Sequence, residues 1–214
     1  MKGSPMARAD IGMNQHLEPL GIFALGFLDA AAALFDRADQ GAGLVDYAIY
    51  PAAYCLRHGL EVVIKQMSIY VAYEMSDPRL LYVPGHGLKD AWLRIDNDLI
   101  EIVEDEQDRN PQSTGIVEQC KSLIAIIDEL DALDPKGTLF RYPEEVQTSR
   151  ERARALVDRP PPFQEVNLSD WAKRARSAFD SAQALLSMAY SRAADLAQER
   201  GDPPIHFHET VMKK

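Results

Sequence analysis

A chain of 214 residues with 46% hydrophobic and 26% charged residues is long enough to fold as one domain, spanning 1–214, with a full core. Its 33 acidic against 23 basic residues leave a net charge of −10, the reverse of the basic excess by which a whole protein surface grips nucleic acid. No secretory apolar stretch opens the chain, and the most hydrophobic window, Gly21 to Phe35, is too short for a bilayer and carries Asp29; a cytoplasmic protein without membrane contact is expected.

In chain order, 1–16 reads as a loose polar lead. A first helix is predicted from Glu18 to Asp36, with Leu20, Phe23, Leu25, Phe27, Leu28, Leu34 and Phe35 as its apolar surface and Gly21 and Gly26 weakening it. After the Gln40–Gly43 break, the longest helix runs from Leu44 to Met75, with Pro51 in its first turn or at a kink, and ends at Asp77-Pro78. A third is expected from Leu88 to about Glu106 along Leu88, Trp92, Ile95, Leu99 and Ile102. Its acidic end, Glu101 to Asp108, opposes the helix dipole and predicts fraying or a solvated tip. A fourth runs from Gly115 to Leu133 with Ser113 or Thr114 as cap. The stretch 138–166, with Pro143 and Pro160-Pro161-Pro162, is a long irregular connection. A last helix from Asn167 or Ser169 to Glu199 is stopped by Gly201, and 201–214 is a tail. No strand alternation is found, so the fold class is all-α, a bundle of about five main helices.

The long helix carries most information. Ile49, Ala53, Leu56, Leu60, Val63, Ile64, Met67 and Val71 make one apolar face, and Cys55, Val62, Ile69 and Tyr73 a second. Between them runs a narrow polar strip of Tyr54, Arg57, His58, Glu61 and Lys65. A helix apolar on two sides belongs inside a bundle, where partly buried charges need partners of defined geometry. The strip is therefore a structural seam, a ligand or phosphate contact, or an i,i+4 ladder on an exposed face. Cys55 and Cys120 have no Cys or His at metal spacing and read as reduced core thiols.

Three separated pieces resemble the HEPN superfamily, small helical domains associated with prokaryotic nucleotidyltransferases, toxin–antitoxin pairs and defence systems. They are His58-Gly59-Leu60-Glu61-Val62-Val63-Ile64-Lys65, then Gly85-His86-Gly87-Leu88 followed by Trp92, and Phe140-Arg141-Tyr142-Pro143, similar to the Arg-Tyr-Pro element of one branch. The resemblance covers roughly Leu44 to Pro143. It implies a homodimeric helical fold and a contact with RNA, nucleotide, or a neighbouring nucleotidyltransferase or defence protein. The ribonucleases of that superfamily carry Arg-x4–6-His on a late helix. The only such spacing here, Arg200 to His206, is interrupted by Gly201, Pro203 and Pro204 and cannot hold one helical face.

The candidate site is therefore Tyr54, Arg57, His58, Glu61, Lys65, His86, Arg141 and Tyr142, with no cofactor and no metal expected. The planar fork of Arg141 suits a buried Glu61 carboxylate, and that pairing would tie the 140–143 loop to the long helix. His86 either packs at a helix start or serves as an acid or base near neutral pH. The tail's His206, His208 and Glu209 form at best a loose chelate. Arg150, Arg152, Arg154, Arg159, Arg174 and Arg176 concentrate positive charge in the second half. These features lead to an expected non-catalytic module binding RNA, nucleotide or a partner protein in prokaryotic stress or phage defence. The alternatives are a metal-independent endoribonuclease built on Arg57, His58 and either His86 or Arg141, and a structural assembly subunit.

Overall fold

The computed structural model describes residues 19–41, 45–81, 85–134 and 167–202. Among these residues six α-helices follow one another: α1 (Pro19–Asp39), α2 (Val45–Glu74), α3 (Leu88–Leu93), α4 (Asp96–Arg109), α5 (Ile116–Leu133) and α6 (Leu168–Arg200). Single 3-10 turns lie at Pro78–Leu80 and Pro111–Ser113. Among the described residues there is no strand, and no helix is long and apolar enough to cross a membrane. The expected lead 1–16, the connection 138–166 with Arg141, Tyr142 and Arg150 to Arg159, and the tail histidines lie outside the described residues.

The long helix is the axis of the bundle. From Leu56 to Tyr73 every residue of α2 is buried except His58 and Lys65, because both apolar faces seen in the sequence are covered. α1 packs most extensively on α2, and α6 packs on α1, α2 and α5. Gly59 marks the closest approach of α1. A Cβ there would stand 2.8 Å from Leu28 Cδ2 and 3.2 Å from the Ala24 carbonyl oxygen, so only glycine fits without displacing the neighbouring helix. α6 approaches through a face of small residues, Ala175, Ala178, Ala182, Ala189 and Ala193, all buried at the helical spacings of three, four and seven. Cys120 is buried and Cys55 half-buried; burial raises both thiols, Cys120 to about 11, in keeping with inert packing roles. Pro51 lies inside α2, on its exposed side, where its missing N–H costs one helical hydrogen bond.

Three boundaries differ from the sequence expectation. The third helix is broken into α3 and α4. The Ile95 amide bonds to the Trp92 carbonyl in a tight turn, and Asp96 opens a new helix while accepting the buried Trp92 Nε1–H at 2.7 Å. The apolar stripe of Leu88, Trp92, Ile95, Leu99 and Ile102 stays buried through the break, which is why periodicity alone reads one helix. The acidic end of α4 is not simply solvated. Glu101, Glu104 and Asp108 are exposed, but Arg192 of α6 donates to Asp105 and Glu106, and Asn110 and Ser113 donate to Glu106. The cap of α5 is Gly115 at φ 90°; Ser113 serves Glu106, and Thr114 donates to the Pro111 carbonyl. Of the two starts expected for α6, Asn167 is the cap and accepts the Asp170 amide, and Gly201 closes the helix at φ 68°.

Candidate functional site

The polar strip of α2 divides into a buried half and a half-open half. Arg57 and Glu61 are each 3% exposed, whereas the side chains of His58 and Lys65 keep 24% and 28% of their surface. The difference follows from helix geometry, since α2 turns Arg57 and Glu61 toward the ends of α3 and α5.

Arg57 is a clasp. Its Nε and Nη2 donate to the Asp134 carbonyl at 3.3 and 3.1 Å, and Nη2 also donates to the His86 carbonyl at 2.5 Å. The Asp134 carboxylate, 2% exposed, stands 3.5 Å from Nε and supplies the countercharge. One planar guanidinium thus joins the middle of α2 to the end of α5 and to the residues that open α3, a task its fixed fork performs and an ammonium cannot. The α3 start is further secured by Asp131, whose Oδ1 accepts the Leu88 and Lys89 amides at 3.1 and 3.3 Å.

Glu61 is the buried centre of a rim. Lys65 Nζ donates to its Oε1 at 2.8 Å, and His86 Nδ1 lies 3.3 Å from the same oxygen. His58 Nδ1 and Arg57 Nη1 are both 3.9 Å from Oε2, too far for hydrogen bonds but close enough for attraction to a cation. Burial by itself would raise the Glu61 pKa; His58, Lys65 and His86 outweigh it and hold the carboxyl well below the usual range. The His58 ring is fixed between two aromatics, edge-on to Phe27 at 4.6 Å and parallel to Tyr54 at 5.5 Å. His86 is the most open member, with 49% of its side chain exposed.

Six of the eight residues expected from the sequence thus converge: Tyr54, Arg57, His58, Glu61, Lys65 and His86. Arg141 and Tyr142 lie outside the described residues. The strip is not an exposed ladder, because its central pair is buried. Asp131 and Asp134 are not among the site residues expected from the sequence, where Asp134 reads only as the start of a turn. Their signal was weak, two carboxylates at the end of a helix, where the dipole disfavours acid unless a partner answers it.

Of the expected basic concentration, Arg174 pairs with Glu129 at 3.1 Å and stacks over Trp171, and Arg176 pairs with Asp36, both at the surface. An open groove of about 460 Å³ between α5 and α6, lined by Glu118, Ser122, Lys173, Arg176, Ser177 and Asp180, includes none of the strip residues. Among the described residues no group of His, Cys, Asp and Glu is arranged to hold a metal ion. A separate apolar stripe lies on α1, where Leu20 and Phe23 are 41% and 52% exposed and Phe27 continues the row to His58. No protein-family model, no curated protein and no solved structure matches the chain.

Proposed function

We propose that this chain is a HEPN-like, non-catalytic binding module of prokaryotic stress or phage defence, and that the face joining the α1 stripe to the His58–Lys65–His86 rim contacts a partner protein, in the first instance a second copy of itself. The motif resemblance supplies the biological setting. The choice of a protein over RNA or nucleotide rests on one observation: Leu20 and Phe23 project from α1 in line with Phe27, which abuts His58, so apolar surface and polar rim are contiguous. Phosphate is a poorer fit, since the rim is built around the ionised Glu61 and Arg57 is committed to Asp134 and His86. The test is hydrodynamic mass. Wild type should sediment as a dimer, and Phe23→Glu, an exposed change, should sediment as a monomer with an unchanged helical spectrum. A monomeric wild type that gains several degrees of melting temperature with excess nucleotide or RNA would replace this reading with the nucleic-acid one.

One observation favours a second reading. A carboxylate against Nδ1 of a half-exposed imidazole favours the tautomer in which Nε2 is the basic nitrogen, so His86 oriented by Glu61, with His58 and Lys65 beside it, supplies groups suited to metal-independent cleavage at a ribose 2′-hydroxyl. Arg57 takes no part in this version because it is buried. Cleavage of total RNA in EDTA, abolished by His86→Ala and by His58→Ala, would establish it.

A further inference from the structure

We propose that Arg57 couples the end of α5 to the presentation of His86, so that displacement of Asp134 is felt at the rim; this deepens the contact reading above and rests on it. The guanidinium is a single rigid plane with donors to two chain segments at once, the Asp134 carbonyl and the His86 carbonyl, and it faces the Asp134 carboxylate as well. His86 is held at a second point, its ring against Glu61, one turn along α2 from Arg57. Asp131, in the last turn of α5, holds two amides just beyond His86 in the chain, those of Leu88 and Lys89. Residues 86–89 and 131–134 are therefore tied to each other and to α2 as one unit. If Asp134 shifts, the fork can keep its bond to Asp134 or its bond to His86, but not both in their present geometry. The ring is then free to leave Glu61, and the rim loses its most exposed member. The other ion cluster, half-buried around Arg192, touches neither segment and is a built-in control.

The expected signature is shared opening. In native-state hydrogen exchange on the wild-type chain, the amides of Leu88 and Asp134 should open with the same free energy, and Arg57→Lys should accelerate both by about tenfold or more while the Asn110 amide beside the Arg192 cluster keeps its rate. In NMR spectra of the free protein, Asp134→Asn should move the His86 ring signals, assigned with His86→Gln. The same change should leave them unmoved in an Arg57→Lys background, because the connecting fork is already lost. Distinct opening free energies in wild type, or His86 signals that respond equally to Asp134→Asn in both backgrounds, would overturn the coupling. Should the variants fail to fold, the wild-type exchange comparison alone decides. All readouts are on the free chain, so failure of the coupling is told apart from failure of the contact reading, which is read from hydrodynamic mass.

Discussion

Two arginines sit at the heart of this bundle and are used in opposite ways. Arg192 of α6 meets three carboxylates, Glu74 of α2 and Asp105 and Glu106 of α4, tying α6 to the ends of two other helices. Nearby, Arg200 donates to the Tyr73 and Glu74 carbonyls, and the Tyr73 hydroxyl donates to Asp202 at 2.8 Å. Every strong contact there runs between protein groups, and the charge is satisfied within the joint. Arg57, by contrast, spends its fork mainly on backbone carbonyls. That leaves Glu61, one turn away, to hold Lys65 and a half-exposed imidazole at the surface. One cluster closes a seam; the other closes a seam and leaves a lysine and an imidazole at the surface.

The sharpest way to break this contrast is to remove each arginine. Arg57→Ala leaves a buried carboxylate and two carbonyls unanswered, and urea unfolding should show a loss of about 3–5 kcal/mol. A loss under 1 kcal/mol would mean the clasp is ornamental. Glu61→Gln should cost about 2–3 kcal/mol at neutral pH, since hydrogen bonds to a charged acceptor are the strong ones. Its pH dependence follows from the depressed folded pKa: the contribution is complete above the unfolded value of about 4.3 and is lost as pH falls through the lower folded value. The gap between wild type and Glu61→Gln should therefore shrink as pH falls below about 4. A gap that widens in acid would reverse the assignment.

Arg192→Ala should cost less, about 1–2 kcal/mol, although it has more carboxylate partners. The side chains of Asp105, Glu74 and Glu106 keep 36%, 18% and 15% of their surface, so water can solvate them once the arginine is gone. If the two alanine variants cost the same, the distinction between a dry and a wet cluster is wrong. The smallest effect belongs to the end of α2. Ser76 and Asp77 donate to the Tyr73 and Ala72 carbonyls with Ser76 at φ 53°, the same closure that Gly201 makes on α6 without a side chain. Ser76→Gly should raise the thermal midpoint, for a gain of up to about 1 kcal/mol. An unchanged or lowered midpoint would show that the serine side chain contributes more than its backbone strain costs.

Much of the site was readable because it lies along one helix. Tyr54, Arg57, His58, Glu61 and Lys65 share a strip by 3.6-residue periodicity, and two apolar flanks say that the strip is enclosed before any neighbour is known. His86 could be nominated only by motif, and the carbonyl and carboxylate of Asp134 by nothing local, because backbone acceptors leave no mark in sequence. Arg192 was likewise silent: a lone arginine among alanines, whose three partners are 86 to 118 residues away.

By itself, then, the order of residues determined an all-α fold, the span and central place of α2, and the cap and stop of α6, since each depends on periodicity or on a conformational preference of a few neighbouring residues. Only the tertiary structure decided that Arg57 closes on Asp134 and His86, that α3 and α4 part at Ile95 so that Asp96 can answer Trp92, and that Gly59 lets α1 lie close. Those choices depend on which distant groups meet in three dimensions. Burial then makes a missing partner costly, so the fold settles on the arrangement in which buried charges and dipoles are met.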